Sequence, residues 1–77
     1  MRLHEAIGKR LYDLTIEYGM TYYQLSKISG IPQTTIKDIA SGRSKSTGIK
    51  NIEKISISFG INIRDFFNDE VFDCLTE

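Results

Sequence analysis

The sequence predicts an all-α fold, a compact bundle of about five short helices. Three observations carry that expectation. Apolar residues recur at three- and four-residue spacing through most of the chain. Glycines and capping residues punctuate it at short intervals. The one stretch that alternates like a strand, "ISISFGINI", has no second strand to pair with, and an isolated strand is not stable.

The first element follows from Leu3, Ile7, Leu11, Leu14 and Tyr18, which define an amphipathic helix over 3–18 that Gly19 ends. Thr21 with Gln24 three residues on forms a capping box for a second helix, running to about Ser29 with Leu25 and Ile28 facing inward. Gly30 stops it. Pro32 opens a third helix, where its missing N–H costs nothing, and Gly42 closes that helix after about Ser41. The polar loop "RSKSTG" follows. Thr47 or Gly48 caps a fourth helix that buries Ile49, Ile52, Ile55 and Phe59, and Gly60 interrupts it. Asn62 then caps a fifth helix over "IRDFFND".

A chain of 77 residues is one domain. We expect residues 1–67 to form its body and residues 68–77 an acidic, aromatic tail, either part of the same domain or a dimer contact. The single cysteine, Cys74, excludes an internal disulfide and suits a reducing cytoplasm. No run approaches the ~20 apolar residues of a membrane span, and the charged N-terminus argues against a secretory leader. Net charge is zero but unevenly spread. Residues 1–50 hold eight cations against four anions, and residues 51–77 hold two against six. A basic body with an acidic tail can bind an anion while the chain stays neutral overall, although a gap of this size also arises by chance in a short chain. Enzymatic chemistry has little to work with: His4 is isolated, Cys74 has no histidine or acid motif beside it, and no phosphate-cradling loop or metal-ligand cluster is present. We expect no enzyme, no cofactor and no metal.

The turn between the second and third helices is the most demanding part of the sequence. About three residues separate them, so they cross steeply. Ser26 is small where they approach, Gly30 permits a reversal, Ile31 plugs the turn, and Leu25, Ile28, Ile36 and Ile39 supply the apolar contacts. With those residues in register, "LSKISGIPQTTIKDIASG" resembles the helix-turn-helix of the Cro and phage-repressor type, the XRE family. "AIGKRLYDLTIEYGMTYYQL" looks like that family's first helix and the start of its second, and "IEKISISFGINIRDFF" is similar to its fourth and fifth. The resemblance covers roughly residues 5–67 and implies a lambda-repressor-like bundle. The chain departs from the family pattern at Tyr22, where glutamine is usual, at Ser26, where alanine is usual, at Ala40, where glutamate is frequent, and in a longer loop after Gly42. A tyrosine phenol also donates to phosphate.

The resemblance implies a sequence-specific regulator of transcription that binds double-stranded DNA, a repressor by default, with the third helix (about 32–41) in the major groove. By position, the base-reading candidates are Gln33, Thr34, Lys37 and Asp38. Glutamine suits adenine, the threonine methyl suits thymine, lysine suits guanine and aspartate accepts from cytosine. For Asp38 the alternative is a solvated surface charge that reads nothing. Thr21, Tyr22, Thr35, Arg43, Ser44, Lys45 and Thr47 are the candidate phosphate contacts, joined by free backbone N–H groups at the helix starts near Thr21 and Thr47. A homodimer on a palindromic operator is the expected assembly. In the tail, Phe66, Phe67, Val71, Phe72 and Leu75 exceed what a short last helix buries alone, so they either form the dimer interface or pack on the first helix. The alternative function is an antitoxin-like or other interaction module of the same fold that binds a protein partner through this tail.

Overall fold

A computed structural model describes residues 1–76. Its described residues form α1 (Leu3–Tyr18), α2 (Tyr22–Ser29), α3 (Gln33–Ala40), α4 (Ile49–Ser58) and α5 (Ile63–Phe67), followed by a short 3-10 turn, Glu70–Cys74. No strand occurs among them. The alternating "ISISFGINI" is instead the end of α4, a stop at Gly60 and the start of α5. The alternation is therefore incidental. Ile55 and Phe59 sit four apart and both are buried, whereas Ile57 between them is exposed.

α1 packs on α3, and α2 packs on both α3 and α4. The core is a single cluster of Ile7, Leu11, Leu14, Leu25, Ile31, Ile36, Ile39, Ile52, Ile55, Phe59 and Phe66. Fully burying one such side chain contributes about 1.5–3 kcal/mol before entropy is counted. Four expected core residues lie outside this cluster. Leu3 and Tyr18 close the two ends of α1, beyond the helices that cover its middle, and both are exposed. Ile49 is 61% exposed because it opens α4 one turn before that helix meets its neighbours. Ile28 is 60% exposed. The inward stripe of α2 is Tyr22, Leu25, Ser26 and Ser29, and Ile28 falls beside it, lining an open cleft with Tyr18, Met20, Tyr23 and Lys27.

The helix ends follow local chemistry. Thr21 Oγ1 accepts the Gln24 N–H at 3.0 Å, and Gln24 Oε1 accepts the Thr21 N–H at 2.9 Å. Asn62 and Asp65 repeat the arrangement at α5, with Asn62 Oδ1 accepting the Asp65 N–H at 2.7 Å. Gly48, not Thr47, is the N-cap of α4. No side chain caps it, and the Thr47 hydroxyl donates instead to Ser44 Oγ at 3.4 Å.

The tail folds inward. Arg10 on α1 donates from Nε to the Phe66 carbonyl at 2.8 Å and from Nη2 to the Asp65 carbonyl at 2.9 Å. Its Nη1 meets Asp69 Oδ2 at 3.2 Å. A guanidinium thus satisfies carbonyls at the C-terminal end of α5, where positive charge is favoured. The 3-10 turn lies along α1, and the Thr76 N–H donates to the Met1 carbonyl at 2.8 Å. Phe66 is completely buried, with Phe67 and Phe72 stacked edge- and tilt-wise against it at centroid distances of 5.1 and 6.3 Å. Of the two roles expected for the tail, Phe66 takes the packing one: it belongs to the protein's own core, with Phe67 and Phe72 half-buried against it. Val71 is half-buried and Leu75 is 40% exposed.

Candidate nucleic-acid interface

The turn between α2 and α3 is built by one left-handed residue and two short contacts. Gly30 takes φ 78°, a left-handed conformation that an L side chain resists by about 1–2 kcal/mol. Ser26 Oγ donates to the Ile31 carbonyl at 2.6 Å, and Ser29 Oγ accepts the Ile31 N–H at 3.1 Å. Ile31 is thereby held in the core, and Pro32 is set as the N-cap of α3, one position earlier than its expected place inside the helix.

From below, α3 is fixed by Ile36 and Ile39, both buried. It is fixed from the side by α1 at a contact the sequence reading overlooked. Gly8 is buried in the middle of α1, and a Cβ there would stand 2.5 Å from the Ile39 carbonyl oxygen and 2.9 Å from that of Ala40. Only glycine admits so close a backbone approach. "AIGKR" contained the signal: a glycine inside a helix costs about 1 kcal/mol against alanine, and a close packing contact is one reason for it to stand there.

This anchoring leaves one face of α3 to solvent. Thr34, Lys37 and Asp38 are exposed on it, and Gln33 and Thr35 are half-buried. Pro32 supplies no side-chain cap, so the first-turn N–H groups of α3 have no side-chain acceptor. Among the described residues the side chains of Gln33, Thr34 and Lys37 enter no hydrogen bond or ion pair, and the polar contacts of this face belong to Ser41, Asp38 and Arg43. The base-reading candidates are therefore together on one surface, and three of the four are free to engage a ligand.

The fourth is not. Asp38 Oδ1 pairs with Arg43 Nη2 at 3.0 Å. The loop after α3 curls back over the same residue, with the Asp38 carbonyl accepting the N–H groups of Arg43 at 3.1 Å and Ser44 at 3.2 Å. Thr35, Asp38, Arg43 and Ser44 line a shallow surface cleft. Lys45 is exposed beyond it. Of the other phosphate candidates, Thr21 is exposed and keeps its hydroxyl proton for donation, because its oxygen serves the cap as an acceptor. Tyr22 is half-buried against the core. That burial pushes its phenol above the ordinary tyrosine value, so the group stays protonated and is a donor. Thr47 is turned toward Ser44, and the uncapped start of α4 follows it.

No helix among the described residues is long and apolar enough to cross a membrane. A family model described as the Cro/C1-type HTH DNA-binding domain matches residues 10–71. Among solved structures, the restriction-modification controller protein C.AhdI from Aeromonas hydrophila is similar at TM-score 0.77 and 23% identity, over 83% of this chain and 96% of that one. At that identity the likeness carries the fold alone. The prophage Lp1 protein 11 is similar at TM-score 0.78 and 28% identity, over 90% of this chain and 92% of that one. No curated protein matches the sequence.

Proposed function

The chain belongs to the Cro/C1-type helix-turn-helix DNA-binding family, whose members are regulators rather than enzymes, and from that premise we propose a cytoplasmic repressor that binds a palindromic operator as a homodimer. The observation that carries the proposal is the exposed face of α3. Its hydrogen-bonding side chains are presented on a helix anchored by Ile36, Ile39 and the Gly8 contact, yet Gln33, Thr34 and Lys37 are left without partners among the described residues. An ordinary surface helix has no need of such a footing.

In this reading α3 enters the major groove N-terminus first, and Gln33, Thr34 and Lys37 meet base edges. Thr21, Tyr22, Thr35, Ser44, Lys45 and Thr47 flank them and address phosphates, with backbone N–H groups at the uncapped start of α4 as further donors. Asp38 and Arg43 lie at the junction of the two sets. With the tail aromatics folded inward, a second copy would meet the exposed Ile57 and the adjoining cleft of Ile61 and Ile63. A two-fold dimer spaces its reading helices about 34 Å apart, one turn of duplex. Repression follows from occupancy, since a bound dimer blocks polymerase without a further domain.

Selection of bound sequences from a random duplex pool tests the proposal. The expected result is an inverted-repeat consensus whose bases change when Gln33 and Thr34 are substituted. Enrichment of no sequence over random duplex would overturn it.

A further inference from the structure

We infer that Asp38 reads no base itself and instead positions Arg43 as a guanine reader, turning a cation that would otherwise hold the phosphate backbone toward the floor of the groove. The inference rests on the DNA-reading proposal above and deepens it. Two side-chain contacts hold the guanidinium: Nη2 to Asp38 Oδ1 at 3.0 Å and Nε to Ser41 Oγ at 3.2 Å. Nε and Nη2 lie on one edge of the planar group. That edge is therefore spent on α3 and its C-terminal turn. The opposite edge, Nη1 with the second N–H of Nη2, still offers two parallel donors, the fork that matches guanine O6 and N7. The holding groups are themselves held. Ser41 Oγ lies 3.1 Å from the Asp38 carbonyl, and that same carbonyl accepts the Arg43 and Ser44 N–H groups. Asp38, Ser41 and Arg43 thus form one closed unit at the end of the reading helix.

The unit is close to neutral, and this separates the two possible jobs of Arg43. An arginine that neutralises a phosphate releases a counterion and steepens the salt dependence of binding. An arginine already paired with a carboxylate carries little net charge to the backbone, and the carboxylate repels phosphates nearby. What the pair retains is directional donation, which suits a base edge. Asp38 therefore raises discrimination at one G·C pair in each half-site and lowers affinity for arbitrary duplex.

The test uses the full chain, the duplex it selects, a copy with that G·C pair exchanged, and a scrambled duplex. Affinities are read by fluorescence anisotropy across a salt series. Asp38→Asn should reduce the preference for the G·C pair roughly tenfold, the scale of one bidentate base contact. It should also tighten binding to the scrambled duplex and steepen the salt slope by about one unit per subunit. Arg43→Lys keeps the charge and loses the fork, so it should remove the same preference. Asp38→Asn with unchanged base preference and slope would overturn the inference. So would a preference that is lost in Asp38→Asn but kept in Arg43→Lys, which would make Asp38 a direct cytosine reader. A wild-type chain that selects no sequence would instead overturn the DNA-reading proposal itself.

Discussion

Gly8→Ala is the sharpest test of how α3 is held. The added Cβ would lie 2.5 Å from the Ile39 oxygen and 2.9 Å from the Ala40 oxygen, where ordinary contact begins at 3.4 Å. The gap between α1 and α3 must then open by about 0.9 Å, the difference between those two distances. Neither obstacle is a flexible side chain. Both are backbone carbonyls, and that of Ile39 also accepts the Gly42 N–H at 3.1 Å in the closing turn of α3. Overpacking of this kind costs about 1–3 kcal/mol. Alanine is the better helix former by about 1 kcal/mol, which offsets part of it. A net loss of up to about 2 kcal/mol should lower the melting temperature by up to roughly 16 °C in a domain of this size. Thermal unfolding followed by far-ultraviolet circular dichroism reads it directly. Because the strain falls on the last turn of α3, the folded variant should also bind the selected duplex more weakly. A variant that melts at or above the wild-type temperature would refute the reasoning, since only the helix-propensity gain would then remain.

Other perturbations test the remaining contacts. Arg10→Ala leaves the Asp65 and Phe66 carbonyls and Asp69 without their shared partner, and should cost about 2–4 kcal/mol in urea unfolding while opening the tail to limited proteolysis. Lys45→Ala should weaken binding to all duplexes alike and reduce the salt slope by about one unit per subunit, as loss of a phosphate contact does. Glu5 should shape the acid limb of stability: accepting the Arg2 N–H at 2.8 Å holds its carboxyl below the ordinary carboxylate range. A carboxyl whose pKa is lower folded than unfolded stabilises above its unfolded value, and that contribution fades as pH falls through the folded one. Glu5→Gln should therefore flatten the fall in melting temperature on acidification, while an unchanged acid limb would remove Glu5 from the account.

Much of this architecture is legible in the sequence because it is written in local chemistry. Thr21 with Gln24 and Asn62 with Asp65 are boxes spelled within four residues, and both form. Gly19, Gly30, Gly42 and Gly60 stop helices where the pattern places them. What escaped reading depends on residues far apart in the chain. Ile28 and Leu25 are equally apolar, and only the direction from which α3 and α4 approach α2 decides that one is buried and the other exposed. For the tail the sequence leaves two surfaces open, a second copy or α1, and what brings Phe66 to α1 is Arg10, a partner 56 residues away. Arg43 and Asp38 are close in sequence, but their pairing requires the loop after Gly42 to turn back, a matter of tertiary geometry rather than of spacing.

Zero net charge sits easily with DNA binding once the cations are sorted by partner. Lys9 is paired with Asp13, Arg10 with Asp69 and Arg43 with Asp38. Lys37 and Lys45, on α3 and the loop behind it, are in none of these pairs among the described residues. A phosphate senses charge over about 8 Å at physiological salt, so the local surface governs attraction and the chain total does not. Of the two, only Lys45 addresses a phosphate in the proposed reading, so one lysine in each subunit gives two per dimer and a slope near −1.8, or roughly tenfold weaker binding between 50 and 200 mM salt. That is shallow for a DNA-binding protein. A shallow electrostatic term means weak attraction to arbitrary duplex, so discrimination must come from directional contacts on α3. A carboxylate on the exposed face of α3 pushes the same way, discouraging backbone contact that is not accompanied by the right base. A dimer slope far steeper than this, with the Asp38–Arg43 pair intact, would mean that Arg43 or further cations grip the backbone, and that the neutrality of the chain plays no part in its selectivity.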